Sequence, residues 1–264
     1  MLAELFCHEL HCRTAMMTCR GGRVANQDAI AHDKIEPYEC WLLADGLGGH
    51  LGGAVASETA LAAVTRSFLQ TPDFSVARLA EMVQTAQDAL TTRQRQEPAL
   101  LNMRSTLVVL LRRSNRMLWT HLGDSRLYWF RGGRILLQTK DHSVPQMLAA
   151  NGEIEMAQIR HHPDRNRLLR CLGEPGKANP ALSPKPQTLK KGDALLLCSD
   201  GFWENIDEAV MIAERLAADR PQDWLTRMER HLLKQVGEQH DNYSAIAIFV
   251  DTAMADSDKQ GLSY

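Results

Sequence analysis

Apolar positions along the chain change period several times, and the changes mark out its elements. Residues 5–20 mix apolar and polar side chains and end at Gly21-Gly22, which predicts a first strand and a turn. Residues 27–33 fit neither period cleanly. Residues 38–44 are apolar along most of their length, as expected of a strand covered on both faces. Residues 53–69 are alanine-rich with apolar positions three and four apart, a helix packed on the core. Thr71-Pro72-Asp73 breaks it, and a second helix spans about 75–96 before Pro98.

The period then shortens. Residues 105–111, 117–122, 126–130 and 135–138 read as short strands in one antiparallel meander. Residues 143–151 and 153–159 are short helical pieces around Asn151-Gly152, and 160–190, rich in Pro, His and Arg, is irregular. Residues 194–198 form another buried strand, ending in Ser199-Asp200-Gly201. Helices follow at 207–218 and 221–236, the second opened by Pro221, and 243–250 is a closing strand. Residues 252–264 look like a frayed tail. Helix pairs between blocks of antiparallel strands predict one α+β layered domain.

Composition narrows the function classes. With 264 residues the chain can bury a sizeable core. A formal charge of -2 argues against a dedicated nucleic-acid or membrane-surface protein. No run of about 18 apolar residues predicts a spanning helix. The first residues carry Glu4 and Glu9 and no basic region, unlike a signal peptide, so a cytoplasmic location is expected. Six cysteines without a CxxC pair read as reduced, mostly buried thiols. Cys7, His8, His11 and Cys12 are potential zinc ligands, but their spacing matches no common zinc pattern and an alternating strand is expected instead.

The candidate chemistry lies in carboxylates. Trp41-Leu42-Leu43-Ala44 runs into Asp45-Gly46-Leu47-Gly48-Gly49-His50, which delivers Asp45 from a rigid strand to a glycine-rich turn. Asp28, Asp124, Asp200 and Asp241 share the habit of ending an apolar strand or sitting beside a turn. Each alone is an ordinary turn or cap residue. Five aimed at one place need cations, and oxygen donors without Cys or His suit Mg²⁺ or Mn²⁺.

The order of motifs resembles the metal-dependent PPM (PP2C-type) serine/threonine protein phosphatases, bacterial branch. The matching pieces are RVANQD at 23–28, DGLGGH at 45–50, RSTL at 104–107, GDSR at 123–126 and KDHS at 140–143. HPDRN at 162–166, RCLG at 170–173, CSDG at 198–201 and DN at 241–242 complete them. The resemblance implies a central antiparallel β-sandwich flanked by helices on both sides, in α/β/β/α layers. It implies a phosphatase domain over 1–250, with a flap at about 145–180, and a tail at 251–264.

By the same resemblance, Asp45 bridges two Mn²⁺ or Mg²⁺ ions, the Gly46 carbonyl binds one, and Asp200 and Asp241 hold the other. Asp124 joins Asp200 at a possible third position, and Asp28 grips the metals' water shell. Arg23 is the implied phosphate clamp, a planar fork matched to phosphoryl oxygens. His50 is the implied general acid, and His161 of the flap is a candidate substrate contact. Two divalent ions can turn a shared water into hydroxide near neutral pH and stabilise in-line attack on phosphorus. Gln27 stands where many relatives carry Glu, which makes the metal environment slightly less acidic. His142 is read as fixing a turn, and Trp41 and Trp203 as core.

The expected function is hydrolysis of phosphoserine and phosphothreonine in proteins by a monomeric enzyme that opposes a bacterial serine/threonine kinase. The competing class is a binding or regulatory module that keeps the fold without turnover. Intact ligand positions separate the two, and Asp45, Asp200, Asp241, Arg23 and His50 are all present.

Overall fold

The computed structural model describes residues 10–49 and 52–252. His50, residues 7–9 of the zinc-like cluster and tail residues 253–264 lie outside the described residues. In chain order the elements begin with β1 (Leu10–Cys19), β2 (Asp28–Ile35), β3 (Tyr38–Leu47), α1 (Gly52–Gln70) and α2 (Val76–Gln96). Next come β4 (Arg104–Ser105), β5 (Leu107–Arg113), β6 (Arg116–Leu122), β7 (Arg126–Arg131) and β8 (Arg134–Gln138). α3 (Val144–Ala150), β9 (Ala181–Leu182), β10 (Gln187–Thr188) and β11 (Ala194–Cys198) follow. The last are α4 (Asp200–Trp203), α5 (Glu208–Leu216), α6 (Pro221–Gln235) and β12 (Tyr243–Thr252).

Two antiparallel sheets result, in the orders β1-β12-β11-β7-β8 and β10-β6-β5-β3-β2. Successive side chains of a strand point to opposite faces, and both faces here are covered. On β3, Leu42 and Ala44 join Ala56, Val64 and Phe68 of α1 and Leu79 and Leu90 of α2. Trp41 and Leu43 instead meet Leu127, Trp129, Leu197 and Ile248 between the sheets. On the far side, Tyr128, Phe130, Ala247 and Phe249 pack with Trp224, Leu225 and Met228 of α6. Three apolar layers therefore separate helices, sheet, sheet and helices, as expected for the sandwich.

The single meander expected over 105–138 is not what forms. β5 and β6 make a hairpin in one sheet, and β7 and β8 make a hairpin in the other. The chain changes sheets at Gly123-Asp124-Ser125. The reason is packing: Met117 of β6 and Leu127 and Trp129 of β7 share the layer between the sheets, so these strands face each other instead of pairing. All but Gln27 of residues 27–33 fall in β2, an edge strand whose intermediate burial along most of its length hides the alternation. The helical piece expected at 153–159 is a 3-10 turn, Met156–His161, and α4 was not expected. Among the described cysteines, Cys12, Cys40 and Cys198 are buried, Cys19 and Cys171 are partly exposed, and all are free.

Trp224 anchors the α6 layer. It is fully buried, meets Phe130 edge-on with 5.2 Å between ring centroids, and donates its indole N–H to the Met211 carbonyl at 3.0 Å. Trp224→Ala is expected to cost about 3–5 kcal/mol. A lower urea midpoint with unchanged slope would register that loss, and a midpoint equal to wild type would contradict the packing.

Candidate metal centre

The ends of the two sheets bring the carboxylates together. Asp28 opens β2 directly opposite Asp45 near the end of β3. Asp124 lies where the chain passes between sheets. Asp200 follows β11 and Asp241 precedes β12, and these two strands are neighbours.

The backbone under Asp45 is clamped. Its N–H donates to Thr106 Oγ1 at 2.9 Å, and the Thr106 N–H donates back to its carbonyl at 2.8 Å. Thr106 Oγ1 also lies 2.8 Å from Ser125 Oγ, which ties the Asp45 support to the Asp124 crossing. The Gly46 N–H donates to the Gln27 carbonyl at 3.0 Å, and a Cβ on Gly46 would lie 1.9 Å from the Gly53 carbonyl oxygen. Any side chain there would push the glycine-rich turn off α1.

Asp28 is buried and held on one side. Ser199 Oγ donates to its Oδ2 at 2.7 Å and itself accepts the Ser244 N–H at 3.0 Å, while Oδ1 is buried without a partner. Burial, against partial relief from these serine hydrogen bonds, pushes its carboxyl up to about 7. Burial also holds Asp45 well above the usual carboxylate range, with the Asp28, Asp200 and Asp124 charges adding to it. Asp124 is raised well above that range by burial and the Asp200 charge, and Asp200 is raised by burial and Asp241. Asp45 thus feels the other three, and Asp28 and Asp124 both feel Asp200.

Asp124 has a second anchor. Trp203 Nε1 donates to its carbonyl at 3.0 Å, and the Arg126 guanidinium lies 3.3 Å above the Trp203 ring. Arg126 is itself forked onto buried Asp141 at 2.8 and 2.7 Å. Arg160 also approaches the Trp203 ring and grips Glu208 of α5 at 2.7 and 2.8 Å. Trp203 is therefore core, as expected, and also a strut of the site. His142, expected to fix the turn into the following helix, braces the crossing instead: its Nδ1 accepts the Gly123 N–H at 3.2 Å, and its ring stacks on His121.

A cleft of about 380 Å³ opens at Asp200 and Asp241, lined also by Arg23, Arg165, Glu204 and His240 among others. Arg23 Nη2 donates to Asp241 Oδ2 at 2.7 Å. From the 160–180 segment, Arg165 and Asn166 reach this cleft, whereas exposed His161 is not among its lining residues. Glu204, absent from the sequence reading, pairs with Arg165 at 3.0 Å, and burial followed by the Asp200 charge pushes its carboxyl up to about 7. Its only signal in the sequence is its place four residues after Asp200, one helical turn on.

Among the described residues no three His, Cys, Asp or Glu side chains form a ready-made metal cage. The fit to a cation rests instead on crowded carboxyls with raised proton affinity and on the unpartnered Asp28 oxygen. The charged donors at the centre are all oxygens, a set suited to Mg²⁺ or Mn²⁺.

A two-sheet sandwich flanked by helices, with acidic side chains from both sheets and an arginine meeting at one end, defines a class of fold and site. Residues 19–242 match protein phosphatase 2C, and the chain belongs to that family. Serine/threonine protein phosphatase PstP of Mycobacterium tuberculosis is 35% identical over 173 residues, covering 65% of this chain and 33% of that protein. The matched region thus spans about a third of that relative. Serine/threonine phosphatase stp of Listeria innocua is 33% identical over 175 residues, 64% of this chain and 69% of that one. The catalytic domain of a PstP serine/threonine phosphatase, solved with 2 manganese ions, superposes with a TM-score of 0.79 at 28% identity. That superposition covers 92% of this chain and 99% of that one.

Carboxyls with folded pKa above the unfolded value favour the folded state at low pH. That contribution is complete below about 3.8 and is lost as pH rises through the folded value, about 7 for Asp28. A bound divalent ion supplies the missing countercharge. Saturating Mn²⁺ is expected to raise the melting temperature over EDTA by about 5–10 °C at pH 7.5. The gap should narrow at pH 5, read by thermal melting, and an Mn²⁺ effect that is absent at pH 7.5 would contradict the cation reading.

Proposed function

We propose that the chain is a metal-dependent protein phosphatase acting on phosphoserine and phosphothreonine in proteins, opposing a serine/threonine kinase. The observation that carries this reading is Asp45 held well above the usual carboxylate range by burial and by the charges of Asp28, Asp200 and Asp124, with Asp200 lining the cleft beside Arg23. Asp45, the Gly46 carbonyl, Asp200 and Asp241 would hold two Mn²⁺ or Mg²⁺ ions, and Asp124 with Asp200 a third. When bound, such ions supply Lewis acidity to the phosphoryl group and acidify water into a nucleophile.

The chain's own groups do the rest. Arg23 presents a planar fork to phosphoryl oxygens and orients the phosphorus for in-line displacement. Asp28, opposite Asp45 and with Oδ2 held by Ser199, would offer its unpartnered Oδ1 to the ions' water shell. His50, outside the described residues, is proposed to hold the proton that neutralises the departing serine or threonine alkoxide. Charge spread over phosphoryl oxygens makes positioning and charge neutralisation the main sources of rate. The buried thiols carry no part of it: burial pushes Cys198 and Cys40 up, away from thiolate chemistry. The 145–180 segment, with Arg165 and Asn166 at the cleft, is proposed as the flap that meets the phosphoprotein.

Hydrolysis of a phosphothreonine peptide by purified protein is expected with Mn²⁺ and lost with EDTA. Asp200→Asn should lower kcat at least about 100-fold while the protein stays folded. Asp124→Ala should lower it less. A folded, Mn²⁺-loaded wild type without phosphate release would point to a binding module instead.

A further inference from the structure

The loop 20–27 carries Arg23, and its shape is dictated from outside. The Asn242 carboxamide is used in full on this loop. Its Nδ2 donates to the Arg20 carbonyl at 2.7 Å and to the Ala25 carbonyl at 3.0 Å, and its Oδ1 accepts the Gln27 N–H at 2.9 Å. Asn242 is buried, 5% exposed. One side chain thus grips the entry and the exit of the loop, with Arg23 between the two grips. The Gly22 N–H adds a hydrogen bond to the His240 carbonyl at 3.0 Å. Gly21, at φ +58°, presses so closely on this segment that a Cβ would lie 2.2 Å from the Asp241 carbonyl oxygen.

Arg23 has little else to direct it. Its side chain is 55% exposed, and its polar contact among the described residues is Asp241. A long exposed side chain with a single ion pair is weakly fixed by that pair. What the fold fixes is the point from which its side chain departs, and the loop backbone there is held at both ends by Asn242. The restraint continues through Gln27, whose Nε2 donates to the Gly49 carbonyl at 2.8 Å in the glycine-rich turn.

We propose that Asn242 is a positioning residue that aims Arg23 at the phosphoryl group. This rests on the phosphatase reading of the site. It assigns Asn242 no contact with metal or substrate and no proton; it acts only through the loop. An asparagine suits the task because two carbonyls need donors and one N–H needs an acceptor. Aspartate would face two carbonyl oxygens with acceptors alone, and alanine would leave all three backbone groups unpaired.

The test is a double-mutant cycle on the full chain at saturating Mn²⁺, with a phosphothreonine peptide as substrate and inorganic phosphate as inhibitor. Asn242→Ala is expected to raise KM and the phosphate inhibition constant about tenfold each, with kcat changed about threefold or less. Arg23→Ala should weaken both, and Arg23→Ala/Asn242→Ala should be no worse than Arg23→Ala alone. A merely structural residue would add its loss in full. Asn242→Ser, which keeps a hydroxyl but cannot span both carbonyls, should show the same Arg23-dependent loss in smaller measure, and it serves as the readout should Asn242→Ala fail to fold. Wild-type turnover with unchanged KM and phosphate inhibition in the variants, or full additivity, would overturn the positioning role. Absence of turnover in the folded wild type would instead overturn the phosphatase reading beneath it.

Discussion

Like charges crowded into a poorly solvated space are the constraint on which the rest of this structure depends. Asp28, Asp45, Asp124 and Asp200 come from strands or crossings in two different sheets, and burial and mutual repulsion both resist their ionisation. Left to relax, such groups would splay apart or take up protons. The sandwich prevents the first. Two sheets locked by Trp41, Leu43, Leu127, Leu197 and Ile248 leave their strand ends no freedom to separate. Cations are the remaining way for these carboxylates to be charged near neutral pH.

The supports around the centre form a second tier with a common logic. Each carboxylate is held through its backbone or one oxygen, which leaves other oxygens free. Thr106 clamps the Asp45 peptide, Ser199 takes one oxygen of Asp28, and the Trp203 indole takes the Asp124 carbonyl. Trp203 is in turn loaded by Arg126 and Arg160, so the segment around Arg160 is mechanically tied to Asp124. Asn242 does for the arginine loop what Thr106 does for Asp45.

Much of this was legible in the sequence, and the gaps have physical causes. The apolar runs before Asp45 and Asp200 announced buried strands, and both are fully packed. The helices over α1, α2, α5 and α6 followed from spacing and from breakers such as Pro72 and Pro98. The sheet change at Gly123-Asp124-Ser125 was not legible. A hairpin and a crossing present the same strand–turn–strand pattern, and only packing of Met117 against the Leu127 and Trp129 layer decides between them. β2 was obscured by its place at an edge. Asp28, Asp45, Asp124, Asp200 and Asp241 were read as aimed at one place, and the fold sets Asp28 opposite Asp45 and Asp200 and Asp241 at the ends of neighbouring strands. His161 was read as a substrate contact from the flap; it is exposed, and from the same segment Arg165 and Asn166 line the cleft. Trp203 was read as core and Asn242 only as part of the DN motif, because contacts to backbone leave no spacing signature, and Glu204 had only its place one turn after Asp200.

Manganese binding to the purified chain, counted by the loss of free-ion electron paramagnetic resonance signal during titration, tests the central claim most directly. The account predicts about two tightly held ions per chain, with that binding lost in folded Asp45→Asn. Absence of tight binding in wild type, or an unchanged count in Asp45→Asn, would contradict it.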